Sequence, residues 1–71
     1  MDNVREKKAL GAKIKTARET QGISQRRFAL MTGTSRSYLW KIESGAADVG
    51  IDVLIRIARA LGTTVKELVD F

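Results

Sequence analysis

The apolar residues of this 71-residue chain recur at intervals of three and four positions, which is the spacing of one buried face of an α-helix. Leu10, Ile14 and Ala17 form the first such stripe. The region from Ile51 to Leu61 carries the broadest one. Alternation of apolar and polar residues over four or more positions, which would indicate a strand, does not compete with this pattern. The sequence therefore predicts an all-α fold.

Glycines and short polar residues mark the helix ends, because the chain contains no proline. Four glycines each follow a helical stretch, where a left-handed residue commonly ends a helix: Gly22, Gly33, Gly45 and Gly62. Three candidate N-caps precede the next stretches: Ser24, Ser35 and Thr64. Glu67 completes a predicted capping box with Thr64. The five predicted helices span approximately Val4 or Arg5 to Gln21, Gln25 to Thr32, Arg36 to Ser44, Ile51 to Leu61 and Val65 to Val69.

The same periodicity assigns the core. Besides the first stripe, the residues expected to be buried are Phe28, Ala29, Met31, Leu39, Ile42, Ile51, Leu54, Ile55, Ile57, Ala58, Leu61, Val65 and Leu68. Gly11 lies inside the first helix, where glycine costs about 1 kcal/mol relative to alanine. We expect that cost to be tolerated if another helix approaches closely at Gly11.

The composition limits the chemistry that is available. Cysteine and histidine are both absent, which excludes disulfides, a structural zinc site and histidine-based acid-base catalysis. The remaining ionisable side chains form no cluster at catalytic spacing, so we expect no enzyme, no cofactor and no metal.

The length and the apolar runs indicate how the chain is organised. A chain of 71 residues is expected to form one domain over residues 1 to 71, with residues 1 to 8 as a candidate frayed N-terminal extension. The longest apolar run, Phe28 to Met31, is far shorter than the roughly 20 residues of a membrane span. We therefore expect a soluble, cytoplasmic protein without a membrane partner.

The net charge of +5 is distributed unevenly. Residues 1 to 22 and residues 23 to 45 each carry a net charge of +3, whereas residues 46 to 71 carry −1. Because local fields attract partners, this distribution favours a polyanion-facing surface in the first two thirds of the chain. A basic surface that only maintains solubility is the alternative.

The third predicted helix has two different faces. At about 100° per residue, Tyr38, Leu39 and Ile42 share one arc. The opposite, projecting face of the third helix comprises Arg36, Ser37, Trp40, Lys41 and Ser44. It combines two cations, two hydroxyls and an indole without a carboxylate, and the N-cap Ser35 adds free N–H groups at the helix start. This combination indicates a nucleic-acid surface, although an ordinary solvated face is the simpler alternative.

Residues 10 to 69 resemble the phage repressor and Cro type of helix-turn-helix family, often called the XRE family. The matching residues are Leu10, Gly11, Lys13, Ile14, Arg18, Gly22, Ile23, Ser24, Gln25, Phe28, Ala29, Gly33, Ser35, Leu39, Ile42, Glu43, Gly45, Leu54, Ile57, Ala58, Leu61, Gly62 and Leu68. The resemblance implies a compact five-helix domain like that of lambda repressor. Helices two and three would form the helix-turn-helix, with helix three in the DNA major groove.

The resemblance also implies roles for individual residues. The base-reading positions correspond to Arg36, Ser37, Trp40 and Lys41. Gln25 corresponds to a phosphate contact, and Arg18 and Glu43 match an ion pair that joins helices one and three. The full predicted DNA-binding set is Ser24, Gln25, Arg26, Ser35, Arg36, Ser37, Trp40, Lys41 and Ser44.

Departures from the family pattern keep a second function open. Trp40 and Leu30 occupy positions that are usually polar, and the loop from Gly45 to Gly50 lacks basic residues. The leading hypothesis is a sequence-specific transcriptional regulator, expected to be a repressor, that occupies an operator in double-stranded DNA. The alternative is a protein-interaction module of an antitoxin or anti-repressor type that uses Trp40 or Leu30 as an anchor.

A single short recognition helix reads only a few base pairs, so we expect a symmetric dimer on an inverted-repeat operator. The apolar residues left for the dimer interface are Val65, Val69 and Phe71. With so few apolar anchors, the homodimer is expected to be weak.

Overall fold

The computed structural model describes residues 3 to 70 and folds them into five α-helices without a strand in that range. The helices are α1 (Val4–Thr20), α2 (Gln25–Thr32), α3 (Arg36–Glu43), α4 (Ile51–Leu61) and α5 (Val65–Leu68). Helices α1, α3 and α5 each end one residue before the predicted position. The predicted all-α fold and the order of its helices are confirmed. None of the helices formed by residues 3 to 70 is both long and apolar enough to cross a bilayer.

The predicted helix boundaries are set by local hydrogen bonds. Each N-cap hydroxyl accepts a bond from a backbone N–H of the first helical turn: Ser24 from Arg27, Ser35 from Tyr38 and Thr64 from Glu67. The four predicted glycines have φ between 67° and 79°, in the left-handed region that favours glycine. The predicted capping box is only half formed, because the Glu67 carboxylate accepts a bond from Thr63 Oγ1 at 2.7 Å instead of reaching back to Thr64.

One hydrophobic core receives side chains from all five helices. Its buried apolar members are Ile14, Phe28, Ala29, Leu39, Ile42, Leu54, Ile57, Ala58, Leu61 and Leu68. All ten were predicted from the periodicity. Leu10, Ala17 and Val65 pack against this core and are partly buried. Helix α1 packs on α3, α4 and α5, whereas α2 packs on α3 and α4. The inner side of α3 is therefore held by α1, and the inner side of α2 by α4.

Two predicted core residues are exposed. Met31 is 45% exposed, and its place in the α2 core is taken by Thr32, which is fully buried. The Thr32 hydroxyl donates to the carbonyl oxygen of Phe28 at 2.8 Å, so threonine can enter the core without an unsatisfied donor. Ile51, the first residue of α4, is 61% exposed.

Candidate nucleic-acid interface

The projecting face of α3 lies on the outside of the molecule. Its five residues, Arg36, Ser37, Trp40, Lys41 and Ser44, are all exposed. Trp40 is 59% exposed, which is unusual for an indole on a plain solvated surface. The other side of α3 buries Leu39, Ile42 and Glu43. The helix therefore separates one packed side from one side that is free to enter a groove.

Two capped helix starts lie at the surface: that of α2, after the connection from α1, and that of α3, after the turn from α2. Ser24 and Ser35 are both exposed N-caps, and Arg26 is exposed beside Ser24. Gln25 is half-buried, and its Nε2 donates to Glu43 Oε1 at 3.0 Å. An amide group has two N–H donors, so this bond leaves one for a further partner. The side chain of Gln25 therefore links the start of α2 to the end of α3.

A buried ion pair joins α1 to α3. Arg18 Nε donates to Glu43 Oε2 at 2.7 Å, and Arg18 Nη2 donates to Glu43 Oε1 at 3.0 Å. Arg18 Nη1 also donates to the carbonyl oxygen of Ile23 at 2.7 Å, in the connection that leads to α2. Arg18 is only 6% exposed and Glu43 only 8%, so water reaches neither charge well. Each charge therefore needs the other to offset the cost of burial.

The ion pair also fixes the charge state of the arginine. The hydrogen bonds that Arg18 donates to the Glu43 carboxylate raise the pKa of the guanidinium above its ordinary value, against the opposing effect of burial. A raised pKa means that the stabilising charge is present at every pH below the ordinary value of arginine, and it is lost only in stronger alkali. The link between α1 and α3 therefore keeps its positive member at neutral pH.

The loop after α3 is tied to two helices by Asp48. The carboxylate of Asp48 forms an ion pair with Lys7 Nζ at 2.6 Å, and its backbone carbonyl accepts a bond from Tyr38 Oη at 3.0 Å. These contacts were not predicted from the sequence. The only available signal was that Asp48 is the sole acid of this loop.

Three of the six cations of α1 bind other parts of the protein. Lys7 pairs with Asp48, Arg18 pairs with Glu43, and Lys13 Nζ donates to the carbonyl oxygens of Glu67 at 2.8 Å and Asp70 at 2.6 Å. The prediction that the first third of the chain forms a polyanion-facing surface therefore applies to only some of its cations.

Two of the three predicted dimer residues flank α5, with Val65 as its first residue and Val69 as its C-cap. Val65 is half-buried against the core, whereas Val69, at the C-cap of α5, is 41% exposed. Phe71 lies outside the described residues. Of the two described residues, Val69 therefore offers the larger apolar surface to a partner.

The helix-turn-helix family model matches residues 14 to 68, which run from the middle of α1 to the end of α5. The chain belongs to the helix-turn-helix family. This membership confirms the resemblance to the phage repressor and Cro type. In family terms, α2 and α3 are the two helices of the motif, and α1, α4 and α5 hold them in place.

The relatives of this helix-turn-helix chain include regulators of different length. An HTH-type transcriptional regulator of Mycobacterium tuberculosis is 38% identical over 58 residues, which cover 82% of this chain and 41% of that protein. The chain therefore spans about two fifths of the length of this relative.

Two solved structures share the arrangement of the helices. The restriction-modification controller protein C.AhdI of Aeromonas hydrophila has a TM-score of 0.87 and 28% identity, with 90% of this chain and 97% of that chain covered. The master regulator for biofilm formation SinR, solved in complex with DNA, has a TM-score of 0.81 and 31% identity, with 86% and 98% covered.

Proposed function

We propose that this helix-turn-helix domain binds double-stranded DNA in a sequence-specific manner and regulates transcription, with α3 inserted in the major groove. The observation that carries the proposal is the projecting face of α3, which is exposed along its whole length and contains cations and hydroxyls but no carboxylate. Such a face matches the acceptor-rich edges of bases in the major groove. The likeness to SinR, which was solved with DNA, supports the same assignment.

Base recognition is assigned to Arg36, Ser37, Trp40 and Lys41. The guanidinium of Arg36 can bond O6 and N7 of one guanine through two parallel N–H groups. Lys41 and Ser37 offer a cation and a hydroxyl on the same side of α3. Trp40 carries no charge, so it is assigned an apolar contact with a thymine methyl group or a sugar.

Contacts to the DNA backbone are assigned to the starts of α2 and α3. Ser24, Gln25 and Arg26 lie at the first, and Ser35 at the second. Free backbone N–H groups at a helix start attract phosphate, and such contacts position the protein without reading sequence. Ser44, at the C-cap of α3, closes the contact surface at its other end.

The functional unit is proposed to be a weak homodimer on an inverted repeat. Val65, Val69 and Phe71 would form its interface, and the two copies of α3 would lie about 34 Å apart, one turn of DNA. Occupation of such an operator would block transcription, so repression is the proposed outcome. A regulator acts where the DNA is, so a cytoplasmic location is part of this proposal.

A protein-interaction role is the second candidate, and one observation favours it. Leu30 is 78% exposed on the outer side of α2, and Trp40 is 59% exposed on α3. Tryptophan is enriched among the residues that contribute most of the binding energy in protein interfaces.

The two candidates are separated by selection from random duplex DNA, followed by sequencing and a gel-shift titration of the selected site. The proposed function predicts an enriched inverted repeat that binds more tightly than an unrelated duplex. The variant R36A is the comparison, because Arg36 is exposed, so its loss should leave the fold intact and remove the enrichment at one position of each half-site. A pool that stays random after repeated rounds would contradict the proposed function and favour a protein partner.

A further inference from the structure

A shallow pocket lies where α1, α2 and α3 meet. Its lining comes from all three helices and comprises Lys15, Gln25, Trp40, Glu43 and Ser44. Trp40 and Ser44 belong to the projecting face of α3, so the pocket opens beside the surface assigned to DNA. Lys15 is the α1 residue that lines this pocket.

Lys15 is one of three α1 cations, with Arg5 and Lys8, that have no ion pair or side-chain hydrogen bond among residues 3 to 70. Lys7, Lys13 and Arg18 each bind an internal carboxylate or backbone carbonyl. Lys15 is exposed and forms no ion pair or side-chain hydrogen bond with any residue from 3 to 70. Its ammonium group is thus available to an external anion.

The only carboxylate in the pocket does not oppose an anion. Glu43 accepts two hydrogen bonds from Arg18 and a third from Gln25. Its charge is balanced by the guanidinium inside the protein, and it is only 8% exposed. The ammonium group of Lys15 therefore determines the net positive charge at the mouth of the pocket.

We propose that Lys15 contacts a backbone phosphate of the DNA strand that flanks α3 in the major groove. The inference rests on the proposed function. A lysine binds phosphate as a flexible point charge, which suits a contact from a helix that does not itself enter the groove. Because a phosphate contact carries no sequence information, Lys15 contributes to affinity and to the docking angle of α1 but not to base preference.

The first test compares K15Q with the unsubstituted protein on the selected site and on an unrelated duplex. We expect K15Q to weaken both complexes by the same factor, about two- to fivefold. The slope of log K against log salt should become shallower by about 0.9, the value for one phosphate contact. R59Q is the matched control, because Arg59 is an exposed cation in the last turn of α4, and its loss should leave the slope unchanged.

The second test locates the phosphate. A methylphosphonate group, which is uncharged, replaces one phosphate at a time in the selected duplex. At one position per half-site, the replacement should weaken binding of the unsubstituted protein but not of K15Q. Circular dichroism melting of K15Q and R59Q confirms that both variants are folded.

The outcomes separate this inference from the proposed function. Equal affinity and slope for K15Q and the unsubstituted protein, or an equal loss in R59Q, would overturn the Lys15 contact while leaving DNA binding intact. The absence of any phosphate position coupled to Lys15 would also overturn it. Failure of the unsubstituted protein to prefer its selected site would overturn the proposed function, and the Lys15 contact with it.

Discussion

Gly11 of α1 lies directly against the backbone carbonyl of Glu43 at the end of α3. A Cβ atom at Gly11 would lie 2.6 Å from that oxygen, and it would also collide with the carbonyl oxygen of Ile42. The missing side chain allows α1 and α3 to cross at this short distance. The crossing in turn brings Arg18, two turns further along α1, to the carboxylate of Glu43. The position of α3 therefore depends on a glycine that is unfavourable for the helix that contains it.

The first prediction is that G11A lowers the free energy of unfolding. Overpacking costs about 1 to 3 kcal/mol, and alanine recovers about 1 kcal/mol of helix propensity. Because the obstructing atoms belong to the backbone, we expect the packing cost to exceed the gain. Urea denaturation measures the difference. The exposed residue Ala12 provides the control, since A12G should show the propensity effect alone, and increased stability of G11A would contradict the close crossing.

The second prediction is that E43A destabilises the domain by about 3 to 5 kcal/mol, because Arg18 would be left buried and unpaired. Gln25 would lose its acceptor as well. A domain of this size has a total stability of roughly 4 to 10 kcal/mol, so this loss removes a large fraction of it and should lower the melting temperature strongly. Thermal melting followed by circular dichroism is the measurement. The control is E19A, which removes an exposed carboxylate next to Arg18 and should shift the stability by no more than about 0.5 kcal/mol. An unchanged melting temperature for E43A would show that the pair contributes nothing.

The third prediction concerns base readout by Arg36. R36A should relax the preference at one base-pair position, where a good bidentate contact discriminates by about 1 to 3 kcal/mol. R26A, at the start of α2, should instead weaken binding equally for all sequences. Selection and sequencing with each variant measures both effects. Equal weakening for every sequence by R36A would make Arg36 a phosphate contact.

The fourth prediction uses Trp40, the only tryptophan of the chain, as a spectroscopic probe. Its indole is 59% exposed, so its emission reports on any partner that covers α3. Addition of the selected duplex should quench or shift the emission. K15Q should show the same spectral end point at a higher DNA concentration. An unaltered spectrum at saturating DNA would remove Trp40 from the interface.

The fifth prediction is that V69S combined with F71S abolishes the weak dimer. We expect self-association in the micromolar range or weaker, because few apolar side chains are available. Val65 is not suitable for this test, since it packs partly against the core and its loss would also change stability. Sedimentation at high concentration compares the variant with the unsubstituted chain. A strict monomer that also protects one isolated half-site would exclude the dimer.

The sequence by itself determined the features that depend on neighbouring residues. Periodicity defined five helices and ten buried apolar residues, and Ser24, Ser35 and Thr64 marked three helix starts with hydrogen bonds to backbone N–H groups of their own first turns. The glycines with positive φ are local features as well, since steric limits on φ apply within one residue. The resemblance to a known family also placed the Arg18 and Glu43 pair, which periodicity alone does not reveal.

The tertiary structure decided which residues of different helices come into contact, because those contacts depend on how the helices cross. Lys13 donates a hydrogen bond to the end of α5, more than fifty positions away in the chain, and Lys7 forms an ion pair with Asp48. Of these three lysines, only Lys15 lines the pocket beside α3. Thr32, and not Met31, enters the core because the rotation of α2 against α3 and α4 selects the buried face. A sequence specifies which residues share a face of one helix, but the register and distance between helices follow from packing of the whole core. The sequence therefore predicted the projecting face of α3, and only the crossing of α1 with α3 showed that Lys15 lines a pocket beside it.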